Sequence, residues 1–249
     1  MTSEDVTPNP TLTALPQVPD SKQVPVPDSF EQRALSSGGT NSRNRIQFAI
    51  SGLETNVVNA KSILDIGCGK GHLGEFLRQS YKGRLDGMDI VSYEDFLAGA
   101  YDHLILANLN DPVKASDSLL YDMIFAIEVI EHLENPRAFV RFCTSQLQPG
   151  GKLIVTTPNV ISVSSLLTLT FQGHFRDFRD GIGMYPAHLS PIIPLDAKRI
   201  VQESGLQMIS INYSNNGRIP FTTKTYQRFV PFLKGKLFSD NYRIVAIKP

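Results

Sequence analysis

Three side chains that can exchange protons or bind a metal ion follow one apolar run. Glu128, Glu131 and His132 come directly after YDMIFAI, residues 121–127, and before Asn135. Their spacing of i, i+3 and i+4 would place all three on one side of a helical turn. Histidine is a natural general base, and a Glu-Glu-His set also offers mixed oxygen and nitrogen ligands. The pattern predicts an acid–base site at His132 and Glu131, a metal site, or a structural set that orients neighbouring backbone.

The second candidate segment is a glycine-rich loop, D-I-G-C-G-K-G-H, at residues 65–72. Glycines allow a sharp turn and the close approach of a ligand, and the helix that follows favours an anionic group at its N-terminus. The dinucleotide fingerprint fails here because the third glycine comes one residue early. The phosphate-loop pattern fails because Ser or Thr does not follow Gly-Lys. Within this loop Cys68 is either a nucleophile or, as we expect, a small residue that the turn tolerates.

The elements that must position these residues alternate between strands and helices. Helices are predicted at 42–57, 72–80, 136–148 and 195–204. Asn135 followed by Pro136 marks the start of the third of these helices. Apolar runs predict seven strands, at 62–66, 84–90, 102–108, 121–127, 152–157, 206–212 and 241–249. The alternation predicts an α/β fold with a mostly parallel sheet flanked by helices, which binds ligands at the carboxyl ends of its strands.

Composition excludes several classes of protein. The chain has 249 residues, 24 Lys and Arg, and 24 Asp and Glu, so its formal net charge is zero and a broadly basic nucleic-acid coat is excluded. Two cysteines cannot build a disulfide framework. We expect a proline-rich disordered tail at 1–29 and one domain at 30–249, without a signal peptide or transmembrane helix, in the reducing cytoplasm.

The motifs resemble those of a known family, the class I S-adenosylmethionine (SAM)-dependent methyltransferases. LDIGCGKG resembles the first motif of the family, and Asp89 closes the second strand 22 residues after Gly67. YDMIFAIEVIEHLENP and LQPGGKLIVTTPN resemble the fourth and fifth strand motifs of the subfamily that includes ubiquinone-biosynthesis O-methyltransferases. NYRIVAIKP resembles the final strand. The resemblance covers about residues 45–249 and implies a Rossmann-like sheet of seven strands, the last antiparallel, with SAM as cofactor.

This resemblance implies a set of cofactor contacts. Asp89 would hold the ribose of SAM, and Ile90 would pack on the adenine. Asn108 stands where many relatives carry Asp, and its side-chain carbonyl can still accept a hydrogen bond from the adenine amino group. The remaining implied contacts are Leu109 at the adenine edge and, around the methionine end, Asp65, Gly67, Cys68, Gly69, Ile127 and Glu128.

The E-x-x-E-H pattern at 128–132 occurs in two related groups. Ubiquinone-type O-methyltransferases carry it, as do small-RNA ribose 2′-O-methyltransferases, which add a downstream histidine that His188 could match. The resemblance thus implies a metal site for Mg²⁺ or Mn²⁺ with the ligands Glu128, Glu131, His132 and His188. A metal-free site, with His132 as the general base, is the outcome we favour.

Two further segments are expected to face the acceptor. Residues 158–194 form a long connection of the kind that serves as a lid or a substrate-binding insertion. Residues 217–238 contain five basic and no acidic residues interleaved with aromatic side chains, a composition that suits peripheral membrane contact, a phosphate, or cover for the sheet edge.

The sequence therefore predicts methyl transfer to a hydroxyl of a small molecule or a glycan, including a lipid-linked one. RNA ribose 2′-O-methylation stays open as an alternative, although nucleic acid is not the expected partner of an uncharged chain. Regulatory SAM binding without turnover is the other alternative, and the intact glycine loop argues against it.

Overall fold

The computed structural model describes residues 29–111, 119–181, 187–220 and 222–249. The tail predicted at 1–29 therefore lies outside the described residues, apart from Ser29. Seven strands form one sheet, β1 Ser62–Ile66, β2 Arg84–Asp89, β3 His103–Leu106, β4 Tyr121–Ile127, β5 Leu147–Pro158, β6 Gln207–Tyr213 and β7 Asn241–Ile247. The helices of the described ranges are α1 Phe30–Ser37, α2 Arg43–Ile50, α3 Glu54–Asn59, α4 His72–Arg78, α5 Pro136–Gln146, α6 Val163–Gln172 and α7 Pro194–Glu203.

The strand order is β3-β2-β1-β4-β5-β7-β6. Neighbours pair in parallel except at β7, which runs antiparallel to both β5 and β6. The predicted fold class is confirmed, including the antiparallel last strand. The order reverses between β1 and β4, and a parallel sheet opens a crevice for ligands at such a point.

Helices cover both faces of the sheet because each carries one apolar stripe. Phe139 and Val140 of α5 pack with Ile200 of α7 on one face. Ile46 of α2 and Leu73 of α4 pack on the other face. The central strands β1, β2, β4 and β7 are buried on both sides, as a parallel sheet requires, whereas the edge strands β3 and β6 are partly exposed.

Several boundaries differ from the prediction, and those of α2, α5 and β5 have an identifiable structural cause. The helix predicted at 42–57 is two helices, because Gly52 turns the chain with a φ of 75° between α2 and α3. The Arg243 guanidinium donates to the carbonyl oxygens of Phe48, Ala49 and Ser51 and so ends α2. Further along, α5 stops at Gln146 and β5 starts at Leu147, since Leu147 already pairs with Tyr121 before a bulge shifts the register.

Two helices were not predicted. The first is α1, and the second is α6, which lies inside the predicted insertion at 158–194. Each begins at a serine side chain that accepts a backbone hydrogen bond, and each ends at a glycine with positive φ, Gly38 and Gly173. Across the described ranges, no helix combines the length and the apolar character needed to cross a bilayer.

Candidate functional site

A cavity of about 350 Å³ lies beyond the carboxyl ends of β1, β2, β3 and β4, at the reversal point of the sheet. The predicted cofactor residues that line it are Gly67, Gly69, Asp89, Ile90, Asn108, Leu109, Ile127 and Glu128. Asp65 and Cys68 are buried and do not line it. The carboxyl ends of four strands thus gather residues that are up to about 60 positions apart in the sequence.

Packing within the chain constrains the conformation of the glycine loop. Gly67 and Gly69 have φ values of 67° and 54°, a conformation that side chains other than glycine rarely adopt. A Cβ atom on Gly67 would lie 2.3 Å from the Val129 Cγ2, and one on Gly69 would lie 2.2 Å from the Gly39 carbonyl oxygen. The loop therefore needs glycine at both positions for the folded chain itself.

Asp89 both holds the glycine loop and faces the cavity. Its carboxylate accepts hydrogen bonds from the backbone N–H of Gly69 at 2.7 Å and of Ile90 at 2.8 Å. Burial raises the pKa of Asp89, while these backbone N–H groups oppose the shift. A carboxylate has about four acceptor sites, so both oxygens retain capacity for hydroxyl donors in the cavity.

Asp65 and Cys68 are both buried. The Asp65 carboxyl accepts a hydrogen bond from the Tyr101 hydroxyl at 2.5 Å, and burial raises its pKa to about 7. Burial also raises the pKa of the Cys68 thiol far above its ordinary value, and the nearby carboxylates raise it further. A buried neutral thiol is a poor nucleophile, which supports the structural interpretation of Cys68.

The loop after β3 is linked to the segment after β4. The Asn108 side-chain oxygen accepts a hydrogen bond from the backbone N–H of Asn110 at 3.0 Å. Asn110 in turn accepts from the backbone N–H of Glu134 at 2.9 Å. The Asn108 amide is therefore held in place at the edge of the cavity beside Leu109.

One wall of the cavity was missed by the sequence analysis. It comes from α1, the loop after it and the start of α2, and includes Phe30, Arg33, Ala34, Ser37, Gly39, Thr40, Asn41 and Arg45. The Gly39 carbonyl accepts from the Lys70 N–H at 2.8 Å, and the Tyr93 hydroxyl donates to the Ala34 carbonyl at 3.1 Å. Ser29 as a cap and the Gly38-Gly39 pair are the sequence signals that could have found this helix.

Glu128 does not share a helical turn with Glu131 and His132. It has a φ of 57°, and the helical residues that follow form a single 3-10 turn, Ile130–His132. The Glu128 carboxylate accepts from the Thr156 hydroxyl at 2.9 Å and from the Asn241 amide at 2.7 Å. Its further neighbour is the Arg45 Nε at 3.7 Å. The predicted one-sided spacing is wrong for Glu128 because its left-handed backbone redirects the chain.

Glu131, His132 and His188 do come together. One potential ligand atom from each lies within 4.8 Å of the others, and the two imidazole rings meet edge to face at 4.7 Å. Glu131 is fully buried, and its Oε2 accepts from the Thr157 hydroxyl at 3.1 Å. Its Oε1 has no partner among the described residues. Burial, reinforced by Glu128, holds the pKa of Glu131 well above its usual value.

Both histidines are oriented by backbone carbonyls. The Nδ1 of His132 lies 2.9 Å from the Ala187 carbonyl oxygen, and the Nδ1 of His188 lies 2.6 Å from that of Asp177. A carbonyl only accepts, so each Nδ1 donates and each Nε2 is left with a lone pair in the neutral ring. Burial, and then His188, lower the pKa of His132 to about 4. Burial also lowers the pKa of His188.

An ion-pair network ties both predicted acceptor-facing segments to the cavity. Arg176 bonds to Asp177 at 2.7 Å and to Asp240 at 2.6 Å. Arg218 bonds to Asp240 at 2.9 Å and lies 3.7 Å from Asp177. Asp177, His188 and Arg218 line the cavity, so residues from 158–194 and 217–238 reach it directly.

Comparison with known proteins extends this picture. The family model of the methyltransferase domain matches residues 41–211. A ubiquinone biosynthesis O-methyltransferase of Idiomarina loihiensis is 28% identical over 166 residues, 61% of this chain and 64% of the relative. A pavine N-methyltransferase of Thalictrum flavum is 33% identical over 105 residues, 40% of this chain and 30% of the relative. The match thus spans less than two thirds of either relative.

A solved structure shows the same fold. The SAM-dependent methyltransferase of Archaeoglobus fulgidus superposes with a TM-score of 0.58 at 21% identity, covering 84% of this chain and 95% of the other. Because the family model covers more than half of the chain, and the sheet order and cavity agree with it, the chain belongs to the methyltransferase-domain family.

Proposed function

We propose that the protein transfers the methyl group of SAM to an oxygen of its acceptor, a hydroxyl of a small molecule or a lipid-linked glycan. The observation that carries the proposal is that one cavity joins the glycine loop and Asp89 to the His132–His188 pair. The ubiquinone biosynthesis relative supports a hydroxyl acceptor, and the pavine relative, an N-methyltransferase by name, makes nitrogen the rival.

The lining residues fit SAM chemically. Asp89 would accept hydrogen bonds from the ribose hydroxyls, and Ile90 would pack against the adenine, whose amino group would donate to Asn108. Arg45 lines the cavity, with its Nε 3.7 Å from the Glu128 carboxylate, and its guanidinium would bind the methionine carboxylate. Bound SAM supplies a methyl group that is already activated by its positive sulfur. The chain has to position that group and the acceptor.

His132 is the residue we assign to the acceptor proton. Its neutral Nε2 would accept a hydrogen bond from the acceptor hydroxyl and so orient one oxygen lone pair for in-line attack. A base with a pKa of about 4 is weak for a resting hydroxyl. It suffices here because the oxygen becomes strongly acidic as it gains the methyl group. Thr157 and the Glu131 backbone, whose carbonyl accepts from Leu189 and Ser190, fix the turn that carries His132.

A divalent metal ion is the rival explanation for the same cluster. The Oε1 of Glu131, which has no partner among the described residues, and the Nε2 atoms of His132 and His188 fit a mixed oxygen and nitrogen ligand set. Glu128 fits it less well, because Thr156, Asn241 and Arg45 already surround its carboxylate. Bound Mg²⁺ or Mn²⁺ would acidify and orient the acceptor hydroxyl.

The test follows methyl transfer from labelled SAM to small molecules of a cell extract, with products identified by the added mass of one methylene group. We expect His132→Ala to lose at least roughly a hundredfold in turnover, the range of a general base, and to keep its SAM affinity. His103→Ala, on an exposed side chain of β3, is the matched control. Full activity in the presence of a chelator would reject the metal-dependent mechanism. Activity that is lost in chelator and restored by Mn²⁺ would reject the metal-free mechanism.

Other outcomes would redirect the proposal. Label transferred to RNA rather than to small molecules would favour the ribose 2′-O-methyltransferase alternative. Tight SAM binding with no transfer to any fraction would favour a regulatory role. If His132→Ala stays active, His132 is neither the general base of the metal-free mechanism nor a required ligand of the metal-dependent one.

Peripheral membrane contact is a further part of the proposal. In 217–238, Phe229, Phe232 and Leu237 are 57%, 81% and 45% exposed, beside the exposed cations Lys224, Arg228, Lys234 and Lys236. Phe221 of this segment lies outside the described residues. The backbone N–H of Val163 donates to the Leu237 carbonyl, so α6 starts beside this surface. That helix buries Ser164, Ser165 and Thr168 and exposes Leu166, Leu169 and Phe171, which inverts the usual amphipathic order.

An exposed apolar surface rimmed by cations suits the interface of an anionic membrane. It supports a lipid-linked acceptor, because Arg218 belongs to the same 217–238 segment and lines the cavity.

A further inference from the structure

Arg218 lies on the same wall of the cavity as the two histidines. Its Nη2 lies 3.7 Å from the Asp177 carboxylate, and the backbone carbonyl of Asp177 accepts from His188. His188 in turn contacts His132. A group bound by Arg218 would therefore sit on the side of the cavity that carries the two histidines.

The Arg218 guanidinium is held firmly but incompletely used. Its Nε donates to Asp240 at 2.9 Å, and Asp240 is itself fixed by Arg176 at 2.6 Å. The side chain remains 43% exposed, and its Nη1 has no partner in the part of the chain that the structure describes. A preorganised fork with free donors is the arrangement that recognises carboxylates and phosphates.

The charges of the cavity favour an anion there. Among the described lining residues three guanidinium groups face three carboxylates, and the flanking pair Arg176 and Asp240 cancels. SAM adds one carboxylate against an ammonium and a sulfonium, so the loaded cavity has one positive charge in excess. Arg33 contributes to this excess, since in the described ranges its guanidinium meets only the Phe30 ring, at 5.1 Å.

We propose that the methyl acceptor carries an anionic group, a carboxylate or a phosphate, and that Arg218 binds this group while the accepting oxygen faces His132. This inference rests on the proposed function, because the charge excess assumes SAM. It narrows the acceptor to molecules such as hydroxylated aromatic acids, sugar acids and phosphate-bearing glycans.

The test uses calorimetry on the full chain saturated with sinefungin, an analogue of SAM in which an amine-bearing carbon replaces the methylsulfonium and keeps its positive charge. The probes are benzoate, inorganic phosphate and, as the uncharged counterpart of benzoate, benzyl alcohol. We expect benzoate or phosphate to bind, benzyl alcohol to bind more weakly, and Arg218→Gln to weaken the anion roughly tenfold or more. The stronger of the two anions identifies the source of the charge.

Two further variants make the result specific. Arg218→Lys keeps a cation for Asp240 but loses the planar fork, so it should fold and lose part of the anion affinity. Arg199→Gln removes an exposed arginine of α7 that pairs with Asp196, and it should leave anion binding unchanged.

The proposal is overturned if neither anion binds, if benzyl alcohol binds as tightly as benzoate, or if Arg218→Gln and Arg218→Lys bind anions as the parent does. If the protein does not bind sinefungin, the proposed function is rejected instead. Titration of both anions into the ligand-free protein then tests the Arg218 contact by itself, because Asp240 positions Arg218 without the cofactor.

Discussion

At the scale of single residues, Asp89 shows how one carboxylate can serve the fold and a ligand together. Its bonds to the backbone of Gly69 and Ile90 shape the glycine loop, and its remaining acceptor sites face the cavity. Replacement of Asp89 should therefore affect both loop geometry and ribose binding.

We predict that Asp89→Ala weakens SAM binding by about 1.5–3 kcal/mol, because it removes charge-assisted hydrogen bonds to the ribose hydroxyls. Isothermal titration calorimetry measures the difference. Asp95→Ala is the control, since its exposed carboxylate pairs only with Lys70 at 3.1 Å in the described ranges. Unchanged affinity in Asp89→Ala would remove the ribose contact from the proposal.

Asp65 supplies a prediction about pH. Burial raises its pKa to about 7 from 3.8, so the folded protein holds a proton here that the unfolded chain releases. The contribution of this proton to the free energy of unfolding is fully present below about pH 4 and is lost as the pH rises to about 7.

Asp65→Asn keeps an acceptor for the Tyr101 hydroxyl but cannot ionise. The unfolding free energy of the variant should therefore exceed that of the parent by an amount that grows between pH 4 and pH 7 and approaches about 4 kcal/mol at most. Urea unfolding of both proteins across this range measures the difference. A constant difference across the range would show that Asp65 is ionised in the folded protein.

At the scale of elements, α1 is held to the body by few contacts. None of its residues is buried. The Tyr93 hydroxyl bonds to the Ala34 carbonyl within the helix, and the Lys70 N–H bonds to the Gly39 carbonyl just after it. An element with so little buried area is expected to open readily, and it forms one wall of the cavity.

A pair of neighbouring glycines tests whether this wall matters for SAM. Gly38 and Gly39 both have positive φ, so alanine strains either by roughly 1–2 kcal/mol. A Cβ atom meets open space at Gly38 but would lie 2.4 Å from the Tyr93 ring at Gly39. We predict that Gly39→Ala weakens SAM binding and speeds hydrogen exchange in 30–41, while Gly38→Ala changes both far less. Equal effects of the two variants would contradict a role for the Gly39 contact.

Most elements of the sheet were predictable because each strand is a short apolar run that ends at a turn residue. The strands at 62–66 and 121–127 have the predicted bounds. The split at Gly52 was harder, since the apolar spacing continues from Ile46 to Val57 across two helices. The turn at Gly52 and the hydrogen bonds from Arg243, nearly 200 residues away, together end α2.

The site residues that follow a single strand could be predicted from the sequence. Those that are brought together from distant segments could not. Spacing alone singled out Glu131 and His132, but it could not foresee the left-handed backbone of Glu128. That conformation is stabilised by Thr156 and by Asn241 from the opposite strand. The role of Arg218 depends on its pairing with Asp240, which local sequence patterns do not reveal.

At the scale of the whole molecule, a net charge of zero conceals a polarised surface. The exposed cations of 217–238 adjoin exposed Phe229 and Phe232 and the outward-facing apolar side chains of α6. The formal balance of 24 basic and 24 acidic residues therefore gives no guide to what this one face binds.

We predict that the protein co-sediments with vesicles containing phosphatidylglycerol and that sedimentation falls as salt rises, because salt screens exposed charges. The double variant Lys234→Gln/Lys236→Gln should sediment less, and Phe232→Ser should reduce sedimentation even at low salt. Lys198→Gln, on the exposed side of α7, is the control. Absence of sedimentation at low salt would leave 217–238 only as cover for the sheet edge.

The position of β7 affects how the protein can fold during its synthesis on the ribosome. This strand is inserted between β5 and β6, and it supplies Asn241 to Glu128 and Arg243 to the end of α2. Strands β5 and β6 leave the exit tunnel before β7, and the edges that pair with β7 stay unpaired until it emerges. The cavity is therefore completed only after β7 has been synthesised, and a nascent chain that has already formed the glycine loop still lacks a finished acceptor site.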